Sequence, residues 1–181
     1  MKIKSTQIVD TFAEAFKMYG SRIIITAETK EWAMAAAQSV TGFATSVIGC
    51  KCEAGIETEI PSEDSPDLRP GVSVLFFAMD SENLGKRLME RIGQCIMTCP
   101  STACYNGIDE GNEIVVGGQL RYFGDGYQIS KKIGDKRLWR IPVMDGEFLV
   151  DDVFKTKEAV GGGNILILAK DQNTALKAAK S

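Results

Sequence analysis

The chain has 181 residues, 44% of them hydrophobic, and a formal net charge of −3. This length and apolar content suffice for a buried core, and the acidic balance argues against a nucleic-acid partner, which needs clustered Lys and Arg. No apolar run is long enough to cross a bilayer, and the start "MKIKSTQIVDTF" lacks the apolar core of a signal peptide, so we expect a soluble cytoplasmic protein with no membrane partner.

The chain contains no histidine at all. This absence removes Ser-His and Cys-His nucleophile pairs, the commonest general base, and most zinc and iron sites. Any chemistry that the chain performs must therefore use carboxylates, hydroxyls, backbone amides or the substrate itself.

The five cysteines are expected to be free thiols, because their number is odd and the chain is too long to need disulfides. No Cys-x-x-Cys spacing occurs, which argues against a cysteine metal or redox domain. Cys95 and Cys99 extend the apolar stripe of a predicted helix, where a thiol behaves as a small hydrophobic group. We expect no metal site.

The first part of the chain predicts a strand, a helix and a second strand in succession. "RIIITA" (22–27) is a β-branched run that favours a strand, and "TKEWAMAAAQSV" (29–40) is Ala-rich and helical. Thr29 is suited to cap this helix, and Thr41-Gly42 to end it. "FATSVIG" (43–49) is expected to form the next strand, which completes a βαβ unit with a right-handed crossover.

A second unit with the same order follows a proline-rich loop, "PSEDSPDLRPG" (61–71). "VSVLFFA" (72–78) predicts a buried strand, and Asp80 or Ser81 can cap the helix after it. The apolar stripe of that helix has i, i+4 spacing and consists of Leu84, Leu88, Ile92 and Ile96. Two such halves predict an α+β fold, specifically a ferredoxin-like α/β sandwich.

Residues 112 to about 155 are typical of an antiparallel β-meander inserted into this sandwich. The expected strands are "EIVVGGQLRYF" (113–123), "YQISKKI" (127–133), "RLWRIPV" (137–143) and "EFLVDDVF" (147–154). The expected turns are Gly124-Asp125-Gly126, Gly134-Asp135 and Asp145-Gly146; Asp-Gly is a dipeptide that tight hairpins prefer. "GGGNILILA" (161–169) then predicts a buried strand, and "NTALKAAKS" (173–181) the start of a helix.

Several stretches that join glycine to polar side chains have both a structural and a ligand-binding interpretation. "TGFATS" (41–46) suits either a helix end followed by a strand or a set of hydroxyl contacts, and Glu53 and Glu147 are loop acids beside glycines. "VGGGN" (160–164) precedes a predicted strand and lacks the phosphate-loop pattern, so close packing and close ligand approach both remain open.

An ordered set of short motifs resembles one enzyme family over nearly the whole chain. The motifs are "DTFAEAF" (10–16), "ITA" (25–27), "WAM" (32–34), "TGFATSVI" (41–48), "EAGI" (53–56), "RPGV" (69–72), "RIGQCIMT" (91–98), "FGDGYQ" (123–128), "WRIPVMDGEF" (139–148) and "GGN" (162–164). In this order they are similar to formylmethanofuran–tetrahydromethanopterin formyltransferase.

The resemblance implies an enzyme of one-carbon metabolism, in methanogenesis or in the pathway between formaldehyde and CO2. Such an enzyme transfers a formyl group from N-formylmethanofuran to N5 of tetrahydromethanopterin. It uses these C1 carriers as substrates, needs no prosthetic group, and assembles as homo-oligomers, dimers or tetramers. The implied substrate-binding residues are Thr41, Gly42, Thr45, Ser46, Glu53, Gln94, Gly124, Asp125, Gly126, Tyr127, Gln128, Glu147 and Gly162.

Members of this family are longer than 181 residues and have two ferredoxin-like lobes. The resemblance therefore assigns residues 1–181 to the first lobe, with the β-rich insertion at about 112–155, and places the main catalytic acid in a second lobe outside the chain. We expect either a truncated form of a longer protein or a natural short paralogue. The alternative function is a catalytically incomplete ferredoxin-like module that binds a pterin or a partner chain.

Overall fold

The computed structural model describes residues 1–11, 14–162 and 165–180. The chain divides into a larger unit, residues 17–159, and a smaller unit that contains residues 1–16 and 160–181. Its elements are, in chain order, β1 (Lys2–Ile3), β2 (Thr6–Gln7), β3 (Phe16–Thr26), α1 (Lys30–Thr41), α2 (Val47–Cys50), β4 (Glu53–Ile60), β5 (Gly71–Ala78), α3 (Ser81–Arg91), β6 (Ala103–Asn106), β7 (Asn112–Val115), α4 (Gly117–Leu120), β8 (Ile129–Ile133), β9 (Lys136–Val143), β10 (Gly146–Asp151), β11 (Val153–Gly161) and α5 (Gln172–Lys180).

Nine strands of the described chain form one mixed sheet around β3. Along the sheet the order is β4-β5-β3-β6-β10-β9-β8, and β11 pairs with both β3 and β7. The pairs β4–β5, β5–β3 and β3–β6 are antiparallel, whereas β10 runs parallel to β6. The larger unit is therefore a mixed α/β structure with a large mixed sheet, in which α1 and α3 both contact β5.

The core lies between this sheet and the two helices, and the alternation of apolar side chains explains why. Ile23 and Ile25 of β3 are fully buried, because side chains two residues apart share one face of a strand. The predicted stripe of α3 and its continuation is confirmed, since all four of its members are fully buried: Leu84, Leu88, Ile92 and Ile96. Burial of each such side chain contributes roughly 1.5–3 kcal/mol.

The predicted helix ends are confirmed by the hydrogen bonds that satisfy them. The Thr29 hydroxyl accepts a hydrogen bond from the Trp32 amide, and the Asp80 carboxylate accepts one from the Asn83 amide. The segment Ile92–Ile96 continues α3 as a π-helical turn. Cys95 and Cys99, on and just after this turn, are half-buried free thiols packed against the core.

The strand predicted for residues 43–49 is wrong. The Ser46 hydroxyl accepts a hydrogen bond from the Ile48 amide and caps the short helix α2, so local side-chain capping overrides the β-branched pattern. The second strand begins only at Glu53, and β5 lies between it and β3 in the sheet. The expected βαβ unit is thus present with one strand inserted between its two strands.

The predicted meander is confirmed only in part. β8, β9 and β10 pair in succession, with hairpin turns at Gly134-Asp135 and at Met144-Asp145. The strand predicted for 113–123 ends at Val115, because the Val116 and Gly117 amides both donate to the Asp152 carbonyl and the chain turns into α4. Only glycine fits there, since a Cβ on Gly117 would lie 2.3 Å from the Asp151 carbonyl oxygen.

Two further predictions fail in their strand pairing. Gly124-Asp125-Gly126 forms the predicted tight turn, since the Tyr127 amide donates to the Gly124 carbonyl at 2.8 Å and Asp125 is in the left-handed region at φ 49°. It is not a hairpin turn, because a 3-10 turn precedes it where a paired strand was expected. Residues 165–169 form no strand and are exposed, because an apolar run becomes a strand only where another strand pairs with it. Gly163 and Asn164, part of the same predicted strand, lie outside the described residues.

The smaller unit contains a short hairpin and a helix. β1 pairs with β2 in antiparallel fashion. The predicted C-terminal helix is confirmed as α5, and the Asp171 carboxylate accepts a hydrogen bond of 2.8 Å from the Thr174 amide in its first turn.

The loop between β4 and β5 is attached to the sheet by Asp67, whose Oδ2 atom accepts hydrogen bonds from three other residues. Asp67 Oδ2 accepts from the Thr26 hydroxyl at 2.8 Å, from Arg69 Nε at 2.8 Å and from the Tyr105 hydroxyl at 3.0 Å. Burial opposes ionisation of this carboxyl group, but the hydrogen bonds from Thr26, Arg69 and Tyr105 outweigh it and hold the pKa of Asp67 below its ordinary value.

We predict that Asp67→Asn lowers the free energy of unfolding by about 2–4 kcal/mol at pH 7, because it leaves the half-buried Arg69 cation and two hydroxyls poorly paired. A folded-state pKa below the unfolded value adds stability above the unfolded pKa, and this stability is lost as the pH falls through the folded pKa. Between pH 7 and pH 3 the free energy of unfolding should therefore fall less in Asp67→Asn than in the unsubstituted chain. Denaturant unfolding at a series of pH values measures this difference. Asp64→Asn, in the same loop and exposed, is the matched control; equal losses in both variants would contradict the prediction.

Candidate functional site

The polar residues predicted between positions 41 and 53 are brought together where α1 ends and β4 begins. The Thr41 hydroxyl donates to the Ala37 carbonyl at 2.8 Å, and the Gly42 amide donates to the Gln38 carbonyl at 3.1 Å. These bonds satisfy the last turn of α1 and direct the chain out of the helix. We call residues 41–53 the α1–β4 segment.

A distant arginine holds this segment in place. Arg91, at the end of α3, donates hydrogen bonds to the carbonyl oxygens of Val40 (2.6 Å), Gly42 (2.8 Å) and Phe43 (2.8 Å). A cation at a helix C-terminus also interacts favourably with the negative end of the helix dipole. Sequence analysis missed Arg91, because its role depends on a contact across about fifty residues.

Two residues of the α1–β4 segment have a positive φ angle, a backbone conformation that non-glycine residues rarely adopt. Phe43 has φ 49° and is 81% exposed, and Lys51 has φ 66°. Such conformations cost on the order of 1–3 kcal/mol each and occur preferentially at ligand-binding sites.

Thr45 and Glu53 meet across the start of β4. They form an isolated antiparallel bridge, and Glu53 Oε1 accepts a hydrogen bond of 3.4 Å from the Val47 amide. Both residues line an open cavity of about 410 Å³, whose apolar wall includes Leu75 and Phe77. Ser46 lies beside it as the cap of α2. A hydroxyl and a carboxylate on an apolar wall can orient a polar planar group and exchange a proton with it.

A second cavity, of about 450 Å³, lies between the α1–β4 segment and α3. Gly42 and Gln94, both predicted site residues, line it together with Cys50 and Arg91. Hydrogen bonds at the Ser46 and Thr45 backbone, the Thr45 hydroxyl and the nearby Arg91 guanidinium lower the pKa of the Cys50 thiol, although partial burial opposes them. The pKa of the Cys52 thiol is instead raised, because that side chain is buried. Cys50 was not among the predicted site residues.

The predicted residues 124–128 form a separate surface in the larger unit. Gly124 is buried beneath Gln128, and a Cβ there would lie 2.6 Å from the Gln128 Cβ. Asp125, Gly126 and Tyr127 are exposed, and Tyr127 shows 81% of its surface. The Gln128 Oε1 atom is buried and accepts no hydrogen bond from the described residues.

Arg121 fixes the aromatic side chains beside this surface. Its guanidinium lies 4.4 Å from the ring centroid of Tyr122 and 5.2 Å from that of Trp139. Tyr122 and Phe123 remain 65% and 55% exposed, so flat apolar faces and exposed backbone lie side by side. This combination suits stacking against a planar ligand or another protein surface.

The remaining two predicted residues lie elsewhere. Glu147 is exposed on β10, opposite Pro142 of β9, and forms an ion pair with Arg140. Gly162 belongs to the smaller unit, where it has φ 88° and where a Cβ would lie 3.0 Å from the Phe16 ring. Neither of the two cavities described above is lined by residues 124–128, Glu147 or Gly162.

A third cavity, of about 440 Å³, is polar and was not predicted. The carboxyl group of Asp151, only 5% exposed, lines it and accepts a hydrogen bond of 2.8 Å from the Asn106 amide. Burial raises the pKa of this carboxyl group, against the effects of the Asn106 amide and the nearby Lys136. A buried acid with a raised pKa keeps its proton to a higher pH than an exposed aspartate does.

Within the described residues, no group of three or more Cys, Asp or Glu side chains is arranged to hold a metal ion. Among the same residues, no helix has the length and apolar character needed to cross a membrane.

Comparison with known proteins gives consistent matches over the whole chain. The family model described as "Formylmethanofuran-tetrahydromethanopterin formyltransferase" matches residues 1–143, and a model described as "FTR, proximal lobe" matches residues 146–181. The curated formylmethanofuran–tetrahydromethanopterin formyltransferase of Methylococcus capsulatus is 56% identical over 181 residues, which are 100% of this chain and 61% of the relative. That of Methanopyrus kandleri is 43% identical over 185 residues, 100% of this chain and 62% of the relative.

Solved structures agree with these relatives. The formyltransferase from Methanosarcina barkeri superposes with a TM-score of 0.93 at 43% sequence identity. The match covers 99% of this chain and 61% of the Methanosarcina barkeri chain. The formyltransferase/hydrolase complex of Methylorubrum extorquens has been solved with methylofuran, and one of its chains gives a TM-score of 0.91 at 47% sequence identity. The match covers 99% of this chain and 60% of that chain. This chain spans about three fifths of the length of these relatives. It belongs to the formylmethanofuran–tetrahydromethanopterin formyltransferase family.

Proposed function

We propose that this chain takes part in the transfer of a formyl group from N-formylmethanofuran to N5 of tetrahydromethanopterin. The observation that carries this proposal is the family match over residues 1–143, together with relatives of that name at 43–56% identity. The enzyme would act in one-carbon metabolism, with the two C1 carriers as its substrates and without a prosthetic group.

The reaction needs orientation and charge stabilisation rather than a cofactor. N5 of the pterin attacks the formyl carbon, a C–N bond forms, and the carbonyl oxygen becomes an oxyanion. The oxyanion then collapses to a carbonyl as the bond to the methanofuran nitrogen breaks, and the proton that N5 loses is carried to that leaving nitrogen. Hydrogen-bond donors at the oxyanion and a carboxylate that moves the proton are the groups that a protein can supply.

The α1–β4 segment supports this chemistry best among the predicted residues. Thr45 offers a hydroxyl and Glu53 a carboxylate to one open cavity, and Gly42 and Gln94 line the neighbouring cavity. We assign Thr41, Gly42, Thr45, Ser46, Glu53 and Gln94 to one substrate-binding region. Residues 124–128, Glu147 and Gly162 are proposed as further contacts, whose position relative to this region stays a prediction.

Four strands and two helices support a ferredoxin-like lobe as the scaffold. β3, α1, β4, β5, α3 and β6 follow one another as βαββαβ, and the strands lie in the order β4-β5-β3-β6 with antiparallel neighbours. We propose that this is the ferredoxin-like lobe and that β8–β10 are its inserted meander. The assignment of all of residues 1–181 to one lobe stays a prediction, because the proximal-lobe model matches residues 146–181.

We also propose that the protein works as a homo-oligomer, a dimer or a tetramer, in the cytoplasm. The relative from Methylorubrum extorquens is part of a multi-subunit complex. The exposed aromatic surface at Tyr122, Phe123 and Tyr127 supports an association surface, since contiguous exposed apolar groups commonly mark contacts.

We predict that the 181-residue chain alone transfers formyl groups at least ~100-fold more slowly than a fusion that adds the remaining two fifths of the Methylococcus capsulatus relative. Loss of one positioned acid or base commonly costs 10²–10⁴-fold, and an incomplete cleft loses orientation as well. Formyl transfer followed by the absorbance change of the pterin measures both rates. Full turnover by the 181-residue chain would contradict this prediction, and no turnover by a folded fusion would contradict the proposed function.

Glu53→Gln in the same fusion should lower kcat/KM by about tenfold or more, equal to ~1.4 kcal/mol of transition-state stabilisation. The glutamine oxygen can still accept the hydrogen bond from the Val47 amide, so thermal stability should change little. Glu59→Gln, on the same strand and exposed, is the matched control and should leave kcat/KM unchanged. A Glu53→Gln fusion with unaltered kcat and KM would remove this residue from the site.

A further inference from the structure

The cavity between the α1–β4 segment and α3 carries an excess of positive charge in an acidic chain. Three cationic side chains line it, those of Lys51, Arg87 and Arg91, against one carboxylate, that of Glu90. The whole chain has a net charge of −3. The charge of the cavity lining is therefore opposite in sign to the net charge of the chain. A concave surface concentrates the electric field of the charges that line it.

Arg87 is only partly satisfied in this cavity. Its Nη1 atom lies 2.8 Å from Glu90 Oε2, but its Nε atom is buried and has no hydrogen-bond partner among the described residues. A buried N–H group of a cation that makes no hydrogen bond is unfavourable, because nothing offsets the loss of its hydration. Such a donor indicates an acceptor that the chain itself does not supply.

Unlike Arg87, the other two cations form no ion pair with a carboxylate among the described residues. Arg91 donates to the neutral carbonyl oxygens of Val40, Gly42 and Phe43, which orient its guanidinium without neutralising it. Lys51 is exposed at the end of α2, and no carboxylate of the described chain lies within ion-pair distance of its ammonium group. Its left-handed backbone, at φ 66°, sets the position at which its side chain leaves the main chain.

Cys50 lines the same cavity, and the pKa of its thiol responds to the groups around it. The thiol is half-buried and lies 3.9 Å from the Thr45 hydroxyl. Hydrogen bonds at the Ser46 and Thr45 backbone lower its pKa most, and the charge of Arg91 adds a smaller effect in the same direction. The remaining cavity wall is formed by small or neutral groups, among them Gly42, Gly49 and Gln94. Backbone can thus approach a ligand closely, and an amide can add a hydrogen bond.

We propose that this cavity binds an oxyanion group, a carboxylate or a phosphate, through Lys51, Arg87 and Arg91. The volume of about 450 Å³ suits a small ligand or the charged end of a larger one. Planar guanidinium groups match both carboxylates and phosphates, because their donors are arranged as a fork. This inference depends on the charges and donors of the cavity, and it holds whether or not the chain transfers a formyl group.

The test uses Cys50 as a built-in reporter in the 181-residue chain. Its alkylation by iodoacetamide, a neutral reagent, is followed by peptide mass spectrometry at constant ionic strength in chloride. Cys52 and Cys104 are buried and Cys95 and Cys99 half-buried, so mapping by peptide separates the five thiols. Inorganic phosphate and glutarate are added in separate series as the two anion probes.

We expect one or both anions to slow alkylation of Cys50 by about 3- to 10-fold with saturation in the millimolar range, as for a small ligand held by two or three charges. Protection by phosphate alone, by glutarate alone or by both assigns the site to phosphates, to carboxylates or to either. Lys51→Gln should weaken protection, and Lys51→Gln combined with Arg87→Gln should abolish it. Lys86→Gln is the matched control, since Lys86 lies on the same helix, is exposed and pairs with Glu82 outside the cavity.

Two results would overturn the proposal: no slowing by either anion up to about 20 mM, well above the range expected for a site with this many charges, or undiminished protection in the double variant. Lys51 is exposed, so its single variant should fold even if the double variant does not. Calorimetric titration of a Cys50→Ser chain with the same two anions gives a second readout that needs no thiol. Neither measurement follows formyl transfer, so failure here is distinct from failure of the proposed function.

Discussion

The central constraint on this structure is that β3 must form backbone hydrogen bonds with other strands along both of its edges. β5 pairs along one edge, and β6 and β11 share the other. Ile23 and Ile25 are fully buried against the helices, so a shift of register by one residue would expose both. The Ser21 hydroxyl donates to the Lys155 carbonyl at 2.9 Å, which adds a side-chain tie between β3 and β11. The first and last strands of the larger unit are thereby joined.

The candidate site depends on a second long-range contact, the one made by Arg91. Its three hydrogen bonds join the end of α3 to the end of α1, and they hold Phe43 exposed in an unfavourable backbone conformation. The strain is tolerated because the partners on both sides are anchored in helices that pack on the sheet. The same guanidinium contributes charge to the cavity beside Cys50. One side chain thus links the packing of the core to the shape and the electrostatics of the site.

The sequence by itself determined the features that depend on neighbours a few residues apart. The cap at Thr29, the cap at Asp80 and the apolar stripe of α3 are all local patterns, and all three are present. The absence of histidine limited the chemistry to carboxylates, hydroxyls and amides. The motif order predicted the family without any knowledge of contacts, and the comparisons confirm it. The role of Thr45 and Glu53 in substrate binding stays a prediction. Local hydrogen bonding and side-chain periodicity are encoded within a single turn or strand, so they can be read directly.

Only the tertiary structure decided where strands form and which polar groups share a cavity. Residues 113–123 have strand-like composition, but the contact of Gly117 with Asp151 and Asp152 made them helical in part. The strand predicted for residues 43–49 fails for a local reason instead, the Ser46 cap of α2. Residues 165–169 are apolar and yet unpaired, since a strand exists only where a second strand satisfies its amides. Tertiary contacts also place Arg91 and the buried Asp151 beside the cavities. Their positions are set by partners some fifty residues away, and the sequence holds no local signal of such distant contacts.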